Sequence, residues 1–296
     1  MLRIRVIFGA LMAVGIFGLL FLDVYLEDHY SINWAPTFFV VIALVTALAV
    51  HELVLLLRQL NWRVYEMPVL AASLAIPASL LAARLHGSAI VWQVGALAVT
   101  PVVAVVIGLV MLLLLIETVR GWHRGVDSSA LTSLGANLLT FAYVGLLGLA
   151  LSALRLMETP KGLYALLVSV AVIKSSDIGG YVFGRAFGRT KLVPRLSPRK
   201  TVEGLMGGFL LAMVVSLGAG RPLLGLPYWQ LAIFALLVTP LAVLGDLAES
   251  VIKRAANVKD SGSRVPGFGG VLDVMDSILL ASPVAYVLLV LFACGR

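Results

Sequence analysis

The sequence predicts an all-α, polytopic integral membrane protein with about nine transmembrane helices and a cytoplasmic N-terminus. Three observations carry that expectation. First, hydrophobic residues make up 61% of the 296-residue chain and charged residues only 12%. Soluble domains run about 45–50% apolar and about 25% charged. A mean hydropathy of +1.05 agrees. A water-soluble core of this size cannot hide so much apolar surface, so the bilayer must be the main solvent. Second, the apolar residues fall in separate runs close to the ~20 residues that span a bilayer. Third, with the N-terminus inside, most of the 22 Lys and Arg residues fall in the cytoplasmic segments, as the positive-inside rule requires.

The runs lie at 6–22, 36–57, 67–84, 92–116, 131–154, 162–176, 204–220, 229–247 and 277–294. The first follows Arg3 and Arg5, as a signal peptide would. It has no clear small-residue cleavage site, and it reads as a retained helix. An acidic first outer loop follows, with Asp23, Glu27 and Asp28. Pro101 interrupts the fourth run, which reads either as one kinked helix or as a re-entrant segment plus a helix. Lys174 sits at the inner boundary of the sixth run, and the ninth ends with the C-terminus outside. The single cysteine, Cys294, excludes a disulfide framework or a zinc site and reads as a small hydrophobe. The net charge of +7 is explained by topology and anionic headgroups or phosphates, with no nucleic acid as partner.

Polar marks concentrate late in the chain. Residues 1–160 read as scaffold and lipid-facing helices, and 161–296 as the catalytic transmembrane region with its cytoplasmic loops. Asp246 closes the eighth run, and on a continuing helix it shares a face with Glu249 and Lys253. Asp273 and Asp276 have i, i+3 spacing at the mouth of the ninth run. If the two mouths are neighbours, three aspartates converge. Such hard oxygen donors suit Mg²⁺, which takes one or two carboxylates and completes its shell with water and phosphate. Asp177, at the end of the sixth run, is placed to reach the same cavity.

Basic residues surround these acids. In Ser197-Pro198-Arg199-Lys200-Thr201, Ser197 reads as a helix N-cap and Pro198 as the first helical residue. A helix N-terminus there, with Arg199 and Lys200, would receive phosphate oxygens. Gly204, Gly207 and Gly208 read either as positions for tight turns and close backbone approach or as helix-packing positions. Carboxylates for a metal, cations for phosphates and a membrane-surface location together point to phosphate transfer on a lipid. An anionic phosphate nucleophile needs no strong protein base. Histidine is correspondingly scarce: His29, His51, His86 and His123 lie far from these motifs.

Ser250, Lys253-Arg254, Lys259-Asp260, Gly262, Pro266, Gly269-Gly270, Asp273 and Asp276 form a pattern over 27 residues. It resembles the signature of the phosphatidate cytidylyltransferases, also called CDP-diglyceride synthases. A second block is similar to another stretch of that family: Asp177, Gly179-Gly180, Gly184, Gly188, Lys191, then Ser197 to Thr201 and Glu203-Gly204. Glu52, ending the second run, adds weaker likeness. The resemblance is strong over about residues 175–280. It departs at Phe268, where the family usually has His, and at Val274, where it has Arg.

The resemblance implies transfer of CMP from CTP to phosphatidic acid, giving CDP-diacylglycerol and pyrophosphate with Mg²⁺ as cofactor, in a bacterial-type inner membrane with the active site facing the cytoplasm. It implies Asp246, Asp273, Asp276 and Asp177 as metal ligands. Lys253, Arg254, Lys259 and Asp260 become catalytic candidates, and Ser197, Arg199, Lys200, Thr201 and Glu203 the phosphate-binding set. Expected partners are CTP, phosphatidic acid and membrane lipids, with a homodimer allowed. The alternatives are a CTP-dependent transferase or kinase acting on another membrane lipid and, from a different class, an ion-coupled transporter.

Overall fold

A computed structural model describes residues 2–30, 34–85, 92–94, 97–99, 101–125, 129–157, 161–267 and 269–294. Phe268 and the side chain of Cys294 lie outside the described set. The helices are α1 (Leu2–Tyr30), α2 (Pro36–Gln59), α3 (Glu66–Leu85), α4 (Pro101–Arg124) and α5 (Ser129–Arg155). They continue as α6 (Lys161–Phe187), α7 (Val202–Leu224), α8 (Tyr228–Ala255) and α9 (Leu272–Cys294). Two short antiparallel hairpins join them: β1 (Trp92–Val94) with β2 (Leu97–Val99), and β3 (Lys191–Val193) with β4 (Ser197–Thr201). Among the described residues, eight helices, α2 to α9, are long and apolar enough to cross a membrane. The first expected span, 6–22, falls within α1, whose side chains at 2–13, 16 and 17 lie outside the described set. The chain is an all-α polytopic membrane protein.

Three sequence expectations are corrected. Asp23, Glu27 and Asp28 lie on α1, not in a loop. Asp23 is fully buried, and its carboxylate accepts the backbone N–H groups of Thr37 (2.9 Å) and Phe38 (3.1 Å). It thereby caps α2, whose own N-cap, Ala35, offers no side chain. The expected span 92–116 begins only at Pro101, after the β1–β2 hairpin. Proline lacks an N–H and has a fixed φ, so it starts a helix more easily than it sits within one. Ser197 and Pro198 begin strand β4 rather than a helix. The cap of α7 is Thr201, in extended conformation, whose Oγ1 accepts the N–H of Gly204 at 3.1 Å.

The chain folds as two compact units, Met1–Ser152 with Asp260–Leu272, and Ala153–Lys259 with Asp273–Arg296. In the first unit, the segment Asp260–Leu272 is built around Glu52 of α2. Glu52 is fully buried. Its carboxylate accepts Arg264 Nη1 (3.1 Å), Ser261 Oγ (3.3 Å) and the backbone N–H of Leu272 (2.9 Å). A side chain at Gly262 or Gly270 would collide with that carboxylate, so glycine is required for the close approach. Elsewhere in this unit Tyr65 donates to Glu117 (2.8 Å), which also pairs with Arg120 (2.8 Å). The backbone N–H of Tyr65 is received by Asn137 (2.7 Å).

In the second unit α6 and α7 pack backbone to backbone. A Cβ at Gly179 would meet the Gly207 carbonyl at 2.5 Å, and one at Gly204 would meet the Gly180 carbonyl at 2.7 Å. Small residues at such crossings are the means by which membrane helices approach closely. Gly204, Gly207 and Gly208 therefore serve packing. Gly245 of α8 leaves room for the Asp276 and Ser277 backbone of α9 in the same way.

Candidate active site

The candidate site lies in the second unit. Between α6, α7, α8 and the β3–β4 hairpin is a cleft of about 270 Å³. Asp177 and Asp246 supply carboxylates to its wall, and Arg199 and Lys200 supply positive charge. Ser176, Ser197 and Thr201 bring hydroxyls, and Leu192, Leu205 and Val243 an apolar portion.

Each wall has a local cause. The β3–β4 hairpin pairs Lys191 with Thr201 and Val193 with Ser197, with an irregularity between the two pairs. That register carries Arg199 and Lys200 to the cleft. Lys200 Nζ then bonds Asp246 Oδ2 at 3.0 Å and the Val243 carbonyl at 3.2 Å, tying hairpin to α8. Asp246 also accepts Ser250 Oγ at 3.4 Å, and its side chain remains 37% exposed. On α6, Asp177 Oδ2 accepts Lys174 Nζ (3.1 Å) and Ser277 Oγ (2.8 Å), and Lys174 reaches Ser277 Oγ at 2.8 Å. Asp276, which is buried, accepts the Ser277 N–H at 2.5 Å and has Lys174, Asp246 and Asp177 as charged neighbours. The buried Ser176 Oγ faces this region without a hydrogen-bond partner in the protein.

A second ionic cluster lies on the α8 and α9 helices. Lys253 Nζ bonds Glu249 Oε2 and Asp273 Oδ1, each at 2.6 Å. Glu249 is fully buried, and Lys253 and Asp273 nearly so. Removing one member of such a cluster leaves a buried charge uncompensated.

The structure thus brings together Asp177, Asp246, Arg199, Lys200, Ser197 and Thr201 on one cleft, with Asp276 as an electrostatic neighbour. Asp273 and Lys253 are bound to each other and do not line it. Thr201 is largely occupied as a helix cap. Glu203 accepts the N–H groups of Arg189 (3.0 Å) and Thr190 (3.1 Å), so it fastens the α6–β3 turn. Arg254 donates to the Val258 carbonyl at 3.2 Å just beyond α8, and Lys259 and Asp260 are exposed; none of the three lines the cleft.

Sequence reasoning gave no role to Lys174, Glu249, Ser176 or Ser277. Two of these carried a signal. Lys174 is three residues before Asp177, and Glu249 four before Lys253, the spacings at which helical side chains meet. Ser176 and Ser277 have no comparable signature.

Among the described residues no group of three His, Cys, Asp or Glu side chains is arranged to hold a metal ion. Mg²⁺ requires less from protein: one or two carboxylates, with substrate phosphate and water filling the octahedron. Asp177 and Asp246, lining one cleft with Arg199 and Lys200, fit that donor set.

Comparison with known proteins gives consistent results. Phosphatidate cytidylyltransferase of Bacillus subtilis (strain 168) is 43% identical over 136 residues, 45% of this chain and 49% of the relative. That of Synechocystis is 44% identical over 137 residues, 45% of each. That of Staphylococcus saprophyticus is 39% identical over 155 residues, 52% of this chain and 58% of the relative. The chain spans about half the length of the curated relatives it matches. A family model, by contrast, matches almost throughout, over residues 3–292, and by that match the chain belongs to the cytidylyltransferase family.

Proposed function

We propose that the protein transfers CMP from CTP to phosphatidic acid, forming CDP-diacylglycerol and pyrophosphate. The observation that carries this reading is the cleft itself, with Asp177 of α6 and Asp246 of α8 set beside Arg199 and Lys200 of the β3–β4 hairpin. A phosphate oxygen of the lipid attacks the α-phosphorus of CTP. The bond from that phosphorus to the bridging oxygen breaks, and pyrophosphate leaves with the electron pair. The nucleophile is already anionic, which suits a site without histidine. Two polyanions repel, so bringing them together is the main task of the protein. Arg199 and Lys200 neutralise phosphate charge, with the Arg199 guanidinium suited to bidentate contact. Lys200 is held in place by Asp246 and the Val243 carbonyl. Asp177 and Asp246 would hold Mg²⁺, which supplies charge neutralisation at the phosphates when bound. The apolar wall of Leu192, Leu205 and Val243 suits the lipid side of the reaction.

The same reading places the cleft on the cytoplasmic face of a bacterial inner membrane, where CTP is available. The positive charge of segment 185–200 supports that side. The test is pyrophosphate release by the purified protein in detergent micelles with CTP, phosphatidic acid and Mg²⁺. Release should need both substrates and fall roughly a hundredfold or more in Asp246→Asn. Release with CTP and another lipid acceptor, but not with phosphatidic acid, would replace the substrate while keeping the reaction.

A further inference from the structure

Lys174 is an ionisable residue near the middle of α6, a helix long and apolar enough to cross a membrane. Charges in such helices are costly, and where they occur they pair and mark function. Its ammonium group bonds Asp177 Oδ2 at 3.1 Å and Ser277 Oγ at 2.8 Å. Ser277 Oγ in turn donates to the same Asp177 oxygen at 2.8 Å, and its N–H to Asp276 Oδ1 at 2.5 Å. Lys174 is also a charged neighbour of Asp276. Three carboxylates, Asp177, Asp246 and Asp276, therefore share a small region. Lys200 serves Asp246, and Lys174 serves the other two. Val274, between Asp273 and Asp276 in sequence, brings no charge to this helix mouth.

We propose that Lys174 is a positioning residue that acts as a built-in counter-cation, setting how strongly the Asp177 and Asp246 carboxylates hold a divalent cation. The contacts of Lys174 and Ser277 both fall on Asp177 Oδ2, which leaves Oδ1 to serve as the ligand oxygen. The positive charge would also offset the three acids, so that a divalent cation at Asp177 and Asp246 is held less tightly. A lysine serving only to fasten α6 to α9 would be indifferent to what the cleft binds; a counter-charge would not. The inference rests on the cation-binding part of the function proposed above.

The experiment is Mn²⁺ binding, followed by electron paramagnetic resonance, to the full-length protein in detergent without nucleotide. Wild type is compared with Lys174→Met, Lys174→Gln and Lys174→Arg. Removing the charge should tighten Mn²⁺ binding roughly tenfold in the Met and Gln variants, and Arg should restore wild-type affinity. The Gln variant is read in place of Met should Met fail to fold. Met and Gln affinities within about twofold of wild type, or weaker, would overturn the proposal. So would a wild type that binds no Mn²⁺. In that last case pyrophosphate release separates the two readings: release with CTP and phosphatidic acid sinks only the counter-cation, and no release sinks the function as well.

Discussion

Glu52 and Asp246 are both carboxylates on long apolar helices, and their surroundings are opposites. Glu52, in the first unit, is fully buried, and Arg264, Ser261 and the Leu272 N–H all donate to it. Gly262 and Gly270 lie so close that a Cβ on either would collide with it. Asp246, in the second unit, has a 37% exposed side chain, one ion pair with Lys200, and a place on the wall of a cleft. Burial makes an unsatisfied acceptor costly, so Glu52 is used up in holding its own loop. Partial exposure beside cations leaves Asp246 with acceptor capacity for a ligand. A carboxylate in a membrane helix is therefore a fastener or a ligand according to how many of its lone pairs the fold has already taken.

That contrast can be broken or sharpened by substitution. The largest expected effect is on Glu52. Glu52→Leu removes the acceptor of three donors and should cost about 3 kcal/mol of stability, seen as a lowered Tm in detergent. An unchanged Tm would show that the segment Asp260–Leu272 does not depend on this carboxylate. Asp246→Asn is the mirror case. It should slow pyrophosphate release about a hundredfold, equivalent to about 2.7 kcal/mol in the barrier, with Tm nearly unmoved. A large Tm loss with proportionate activity would instead class Asp246 with Glu52.

A smaller effect belongs to Gly270→Ala, whose methyl group would displace the Glu52 carboxylate and Ser261. We expect about 1–3 kcal/mol of destabilisation by thermal melting. The gentlest substitution is Thr201→Ala. It deletes the cap of α7 beside the cleft and should cost about 1 kcal/mol. A modest effect on KM for CTP would accompany it, because β4 ends at this residue. A loss of turnover as deep as that of Asp246→Asn would mean that Thr201 contacts substrate, contrary to its use as a cap.

Much of the fold was legible in the sequence. Eight of the nine apolar runs coincide with helices α2 to α9 because a spanning helix must be apolar over a length set by the bilayer. The fourth run misleads at its start. Trp92 to Val99 is as apolar as a helix, and only Pro101 marks where the helix begins. Ser197-Pro198 has the composition of a helix start, yet backbone pairing with β3 makes it a strand. Local propensity is weak against such pairing.

For the site, one motif block pointed to Asp177, Arg199 and Lys200, and the end of the eighth apolar run pointed to Asp246; the cleft gathers these four. Residue types and spacings also implied that acids and bases would meet. They did not say which pairs would neutralise each other. Asp273 satisfies Lys253 on the neighbouring helix, and Glu203 satisfies two backbone amides. In the sequence Asp273 stood beside Asp246 as a metal ligand, and Glu203 stood with the phosphate-binding set.

The sequence by itself therefore determined the class of solvent, the number and length of most helices, and the kind of chemistry the polar residues can perform. These follow from composition and from interactions within one helix. Tertiary structure alone decided which charges are spent on one another and which remain for a ligand. A hydrogen bond between Lys174 and Ser277, 103 residues apart, or between Glu52 and Leu272, 220 apart, depends on how distant helices pack. In a medium that solvates ions poorly, each such pairing removes a charge from further use.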